Sequence, residues 1–169
     1  MSAIALKYGA TIDKYIGDAI MIFFGDPESQ GIAEDAFRCV SMAVEMQKRL
    51  EELTDKWARF GLQEPFKMRI GINTGFCTVG NFGSENRLDY TVIGAGVNMA
   101  ARLESAATSG SILLSFDTYN LVKDKISCKE SERIKLIGIS NPVRTYEVIE
   151  SEDTDSIITI KTEHSFLQE

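Results

Sequence analysis

The stretch Thr11 to Phe24, T-I-D-K-Y-I-G-D-A-I-M-I-F-F, constrains this chain more than any other. Two apolar-rich runs meet at Gly17-Asp18, a pair suited to a tight turn, so the segment is expected to form a β-hairpin with one carboxylate at its tip. The second run, Ala19 to Phe24, has no polar side chain, which is the pattern of a strand buried on both faces. A carboxylate beside a buried core is costly unless something pairs with it, and a cation is a natural partner for Asp18. Gly17-Asp18 is also good hairpin chemistry in its own right. A turn, however, needs no lysine four residues before its aspartate, and Lys14 stands there.

Around this hairpin the chain reads as alternating helices and strands. Ser2 to Tyr8 has helical composition and ends at Gly9, where a glycine suits a helix C-terminus. From Ile32 to about Phe60, Ala33, Ala36, Phe37, Val40, Ala43, Val44, Leu50, Leu53 and Trp57 recur at three- and four-residue steps, giving one long amphipathic helix. Its other face, with Glu34, Glu45, Lys48, Arg49, Glu52 and Lys56, reads as a solvated charged stripe without chemistry. Met68, Ile70 and Ile72 alternate with Arg69, Gly71 and Asn73 as a half-buried strand. Strands are expected at Phe76 to Gly80, Leu88 to Ile93, Ser111 to Ser115, Ile134 to Ile137 and Arg144 to Ile149, with a loop at Asn81 to Asn86. Helices are expected at Gly94 to Ala107 and Phe116 to Lys123. The alternation indicates an α/β chain with a mixed sheet. Residues 1–149 form the expected domain, and 150–169 turn acidic and polar as a linker or tail.

Composition narrows the function. A net charge of -7 argues against nucleic acid or an anionic membrane as partner, because both reward clustered Lys and Arg. It leaves room for a nucleotide, which needs only local positive charge and metal. No apolar run approaches the length of a spanning helix, and the start lacks the basic-then-apolar pattern of a signal peptide. Cys39, Cys77 and Cys128 show no C-x-x-C spacing and read as reduced thiols. The single histidine, His164, excludes histidine-based triads and multi-histidine metal sites.

Asn98 and Arg102 are four apart on the helix after Gly94 and therefore share a face. Asparagine is a poor helix-interior residue, and an arginine on an otherwise apolar helix asks for a partner. Arg102 meets either a phosphate, with its fixed fork of donors, or Glu104 or Asp89; Asn98 either orients a ligand or caps a strand end. Gly94-Ala95-Gly96 is no dinucleotide fingerprint, since Met99 stands where the third glycine belongs, and no G-K-[ST] marks a P-loop.

Three motifs in order now converge. Lys14-Tyr15-Ile16-Gly17-Asp18 resembles the K-x-x-G-D hairpin of class III nucleotidyl cyclase catalytic domains. Arg69-Ile70-Gly71-Ile72-Asn73-Thr74-Gly75 resembles that family's R-x-G-I-x-x-G strand and turn. Tyr90 to Glu104 resembles its Y-T-x-x-G-x-x-V-N-x-A-x-R-L-E segment. The resemblance implies a ferredoxin-like mixed sheet flanked by helices, and an adenylate cyclase that converts ATP to 3′,5′-cyclic AMP and pyrophosphate in intracellular signalling. It further implies two Mg²⁺ or Mn²⁺ ions, a head-to-tail homodimer with composite sites, and a cytoplasmic domain with room for upstream sensor or membrane domains. By the same resemblance Asp18 is a metal ligand, Lys14 and Thr91 read the purine, Asn98 orients the ribose, and Arg102 meets the reacting phosphates. A lysine and a threonine at the purine positions fit adenine, whereas guanylyl members place glutamate and cysteine there.

The departures carry expectations of their own. The family's first metal aspartate precedes the residues matching Met1 to Tyr8, so the chain reads as N-terminally truncated and is expected to be inactive by itself. Asp13 is not expected to replace that aspartate, because strand alternation points it away from the face of Lys14. Ile137 stands where relatives often carry a phosphate-binding lysine, for which Lys135 on the same strand face is the candidate substitute. Ala95 stands where many relatives have a polar residue. The alternative function is a non-catalytic nucleotide-binding or dimerisation module. A diguanylate cyclase-like palm is excluded by the lack of a G-G-[DE]-E-F-type turn.

Overall fold

The computed structural model describes residues 1–62, 64–84, 86–131, 133 and 142–149. In chain order the elements are α1 (Ser2–Lys7), β1 (Thr11–Ile16), β2 (Ala19–Phe23), α2 (Ile32–Ala58), β3 (Ile70–Ile72), β4 (Thr78–Ser84), β5 (Arg87–Ile93), α3 (Ala95–Ala106), β6 (Ile112–Ser115), α4 (Phe116–Val122), β7 (Cys128–Glu130) and β8 (Thr145–Val148).

The 27-residue α2 serves two cores. Ala36, Phe37, Val40, Ala43 and Val44 follow the one-face spacing of a helix and pack on Ile72, Ile112, Leu114, Val122 and Tyr146. Met42 and Met46, turned to the neighbouring side, close a second cluster with Ala5 and Ala10, against which Ile12, Ile22 and Phe24 pack. The first cluster covers a mixed sheet in the order β3-β6-β8-β7, where β3 and β6 run parallel and the remaining pairs antiparallel. The second seats the β1–β2 hairpin. The expected fold class, a mixed sheet flanked by helices, is what the chain adopts. Among the described residues no helix is long and apolar enough to cross a membrane.

Several expectations need correction. No residue of β2 is buried: Ala19 is exposed and Ile20 to Phe23 are half-buried. Among the described residues β1 and β2 pair only with each other, and Ile12, Ile22 and Phe24 rest on the second cluster. The apolar run is therefore partly covered along its length rather than buried on both faces. Asn81 to Ser84 is strand, not loop: β4 pairs with β5 over seven positions, from Thr78 opposite Ile93 to Ser84 opposite Arg87. Polar and glycine-rich residues hid this strand, because ladder hydrogen bonds rather than burial hold it. Cys128–Glu130 forms an edge strand on β8 that its polar composition concealed. The strand expected at Ile134 to Ile137, with Lys135, the tail from 150, and His164 lie outside the described residues.

Glu45 is also more than a solvated charge. Lys7 Nζ lies 2.8 Å from its Oε2, and Tyr8 Oη donates to the same oxygen at 2.8 Å, clamping α1 on α2. Burial works against the Glu45 carboxylate, but the hydrogen bonds from Lys7 and Tyr8 and the Lys7 charge outweigh it, so its pKa is lowered. A carboxylate with a lowered folded pKa stabilises above its unfolded pKa and loses that contribution as pH falls through the folded value. Glu45→Gln is therefore expected to cost about 1 kcal/mol at pH 7, because Lys7 is largely exposed, or ~2–4 °C in Tm. The gap should close in acid, below the ordinary carboxylate range. A thermal melt series across pH checks this; a gap that persists unchanged in acid contradicts it.

Candidate functional site

The β1–β2 turn forms as the sequence predicts. Ile16 pairs with Ala19, leaving Gly17 and Asp18 as the two turn residues, and Gly17 has φ +63°, a left-handed conformation that favours glycine. Asp18 is exposed at the tip and has no hydrogen bond or ion pair among the described residues.

Along β1 the regular alternation fails. Ile12 pairs with Ile22, but Lys14 pairs with Met21, so Asp13 is an extra residue in the strand, a β-bulge. A bulge re-aims its side chain, and the expectation that Asp13 points away from Lys14 is overturned. The Lys14 Nζ lies 3.7 Å from Asp13 Oδ1, and the Thr91 hydroxyl on β5 donates to Asp13 Oδ2 at 2.7 Å. The Asp13 side chain is 1% exposed and Thr91 6%, while the Lys14 side chain reaches solvent at 46%. The two residues assigned to one task from sequence thus meet at one buried carboxylate. Asp13 is committed to them, which is a better reason than alternation for not assigning it to a metal.

Asn98 and Arg102 lie on α3, in its first and second turns. The Asn98 N–H donates to Gly94 O at 3.4 Å, so Asn98 is helical and does not cap a strand. Its side chain is exposed and Arg102 is half-buried, and neither side chain has a hydrogen-bond or ion-pair partner among the described residues. The structural partners once open to Arg102 are taken: Glu104 pairs with Arg69 at 3.0 Å and Asp89 with Arg87 at 3.6 Å. The Arg102 guanidinium therefore has no protein acceptor among the described residues. No hydrogen bond or ion pair links Asp18 to Asn98 or Arg102 within the described chain.

Supporting contacts escaped the sequence reading. Asn73 Nδ2 donates to Gly96 O at 3.1 Å and fixes the first turn of α3 against the turn after β3. Tyr90 Oη donates to an Asp26 carboxylate oxygen, a hydrogen bond that raises the Tyr90 pKa and ties β5 to the loop after β2. The motif containing Asn73 marked the turn, but nothing in it named the acceptor. Tyr90 and Asp26 are far apart in sequence, and no local signal joins them.

The donor set suits a hard divalent cation in part. Asp18 is a free carboxylate, and Mg²⁺ commonly binds through one or two carboxylates with phosphate and water completing its shell. Among the described residues there is no group of three or more His, Cys, Asp and Glu that could hold a metal. Asp18 by itself could supply one oxygen ligand to such an ion, the remaining positions falling to other groups.

The family model described as adenylate and guanylate cyclase catalytic domain matches residues 4–150. Adenylate cyclase 1 of Rhizobium meliloti is 32% identical over 151 residues, 88% of this chain and 22% of that protein. The adenylate cyclase of Anabaena cylindrica is 36% identical over 142 residues, 80% of this chain and 26% of that protein. The crystal structure of the adenylyl cyclase CyaB from P. aeruginosa is 52% identical with a TM-score of 0.87, covering 89% of this chain and 77% of that one. The crystal structure of the guanylyl cyclase Cya2 is 39% identical with a TM-score of 0.80, covering 87% of this chain and 73% of that one. The chain spans about a quarter or less of the curated relatives it matches.

Proposed function

Because the chain belongs to the adenylate and guanylate cyclase catalytic domain family, we propose that it is the catalytic module of an adenylate cyclase, converting ATP to 3′,5′-cyclic AMP and pyrophosphate in cytoplasmic signalling. The observation that carries the choice of ATP over GTP is the meeting of Lys14 and Thr91 at Asp13. A lysine donor and a hydroxyl match the ring nitrogen and amino group of adenine. The likeness to the adenylyl cyclase CyaB supports the same reading.

The residues divide the work. Lys14 and Thr91 hold the base, and Asn98 orients the ribose so that its 3′-hydroxyl faces the α-phosphorus. Arg102, with no protein partner among the described residues, neutralises charge that builds on the phosphates as the leaving pyrophosphate departs. Asp18 would hold a divalent cation, Mg²⁺ or Mn²⁺, and two such ions would supply activation of the attacking hydroxyl and stabilisation of phosphate charge. No hydrogen bond or ion pair links Asp18 to Asn98 or Arg102 within the described chain, in keeping with the arrangement that the family resemblance implies: a complete site that combines Asp18 of one protomer with Lys14, Thr91, Asn98 and Arg102 of a second copy placed head to tail.

The test is a cyclic nucleotide assay with Mn²⁺ and either ATP or GTP. The protein used is this chain joined at its N-terminus to the opening segment of a related cyclase domain, where the first metal aspartate is expected. Cyclic AMP formed from ATP, and abolished by Asp18→Ala, is the expected result. A folded dimer that binds ATP without turnover would establish a binding module instead, and cyclic GMP as the main product would reverse the base assignment.

A further inference from the structure

Asp13 is a buried carboxylate that the family motif does not include, and both base-reading residues converge on it. The bulge between Ile12 and Lys14 places it there, at the cost of a regular ladder. Its consequence follows from counting donors and acceptors. An ionised carboxylate only accepts, so the single hydroxyl proton of Thr91 is committed to Asp13 Oδ2, as the 2.7 Å contact shows. What Thr91 still offers to a ligand is lone pairs. Lys14 is the opposite case, an ammonium that only donates, held near the other Asp13 oxygen at 3.7 Å.

We propose that Asp13 is a positioning residue that sets the hydrogen-bond polarity of the base site, turning Thr91 into an obligate acceptor beside the donor Lys14. The inference rests on the adenine reading proposed above and deepens it. Adenine presents an amino donor next to a ring-nitrogen acceptor and meets the pair with both bonds satisfied. Guanine presents a carbonyl acceptor next to an N–H donor, which puts lone pair against Thr91 and N–H against the Lys14 ammonium. A hydroxyl free to rotate would donate to the guanine carbonyl and tolerate it. Asp13 removes that freedom, and the selectivity lies in this buried pairing as much as in the two residues that touch the base.

The competing account makes the Asp13–Thr91 bond a strut that ties the hairpin to β5. The experiment measures the affinities of the purified protein for ATP and GTP by competition against a fluorescent adenine nucleotide, alongside the melting temperature. Asp13→Asn keeps the shape but supplies an amide that both accepts and donates, releasing the Thr91 proton. The expected result is a fall in the ATP-over-GTP preference of roughly ten- to a hundred-fold, arising chiefly from tighter GTP binding. Thr91→Val should weaken ATP without weakening GTP, Thr91→Ser should keep the preference, and Asp13→Asn should have no further effect on the ratio in the Thr91→Val background. If Asp13→Asn does not fold, the Thr91 series decides alone. Equal weakening of both nucleotides by Asp13→Asn or by Thr91→Val, with the ratio intact, overturns the inference and leaves the adenine reading standing. A wild-type protein that prefers GTP defeats the adenine reading itself.

Discussion

Arg102→Ala is expected to lower kcat by roughly 10²–10³-fold in the joined, active form of the domain, the loss typical of one preorganised charge-stabilising donor. Position and freedom both support a role in the reaction. Arg102 projects from α3 one turn after Asn98, and its two candidate surface partners are engaged elsewhere, Glu104 with Arg69 and Asp89 with Arg87. An arginine held half-buried without a carboxylate partner among the described residues has its fork of donors unpaired, and the proposed role gives them to an anion that arrives with the substrate. Because charge on the transferring phosphate and on pyrophosphate develops along the reaction, the contact should strengthen toward the transition state. The loss then falls on kcat, while KM moves much less. Arg102→Lys should recover only part of the rate, since an ammonium keeps the charge but not the paired geometry. Steady-state kinetics of the three proteins decide it. A kcat unchanged by Arg102→Ala would return this residue to an ordinary place on the helix surface.

How far the sequence disclosed this site depends on which physical signal each part carries. The hairpin turn was legible because Gly17 and Asp18 act locally, through a left-handed glycine and a two-residue loop. The shared face of Asn98 and Arg102 was legible because helical periodicity is also local, and α3 preserves it. Asp13 was misread for the complementary reason. Alternation is the right rule for a regular strand, and nothing in T-I-D-K-Y-I marks the bulge that breaks it. The bulge is seen only in how Lys14 and Met21 pair, a property of two strands together. The Thr91–Asp13 bond spans 78 positions and is equally silent in either segment. The apolar run of β2 misled differently: composition reports what a strand can bury, while the packing around it decides what it does bury. Glu45 sat on a face correctly read as charged, yet the Lys7 and Tyr8 contacts that give it a role come from a helix 37 and 38 positions away.

The largest expected effect on stability belongs to Gly71→Ala. Gly71 is the middle residue of β3, paired with Leu113 of β6, and its missing side chain is what lets α3 lie against the strand. A Cβ at this position would stand 2.2 Å from Glu104 N, 2.3 Å from Ala100 O and 2.8 Å from the Leu103 carbonyl carbon. All three are backbone atoms of one helix, so no side chain can rotate away, and α3 itself must retreat. Its retreat strains the packing of Leu103 and Ala107 on Leu113 and the Arg69–Glu104 pair beneath the same turn. Overpacking a closed interface costs typically 1–3 kcal/mol and occasionally more, and three backbone clashes put this case at the top of that range. A loss of ~3 kcal/mol corresponds to roughly 6–12 °C in Tm for a chain of this size. The matched control is Gly80→Ala on β4, whose added Cβ would meet only Phe82 Cε2 at 3.9 Å and should shift Tm little. Because α3 carries Asn98 and Arg102, the active form with Gly71→Ala should also lose kcat below its melting temperature, beyond any loss of folded protein. Melting curves of the two alanine variants, with kinetics at a temperature where both are folded, measure the two parts separately. A Gly71→Ala protein that melts with the Gly80→Ala control would mean that α3 is not held against β3 as closely as these distances require.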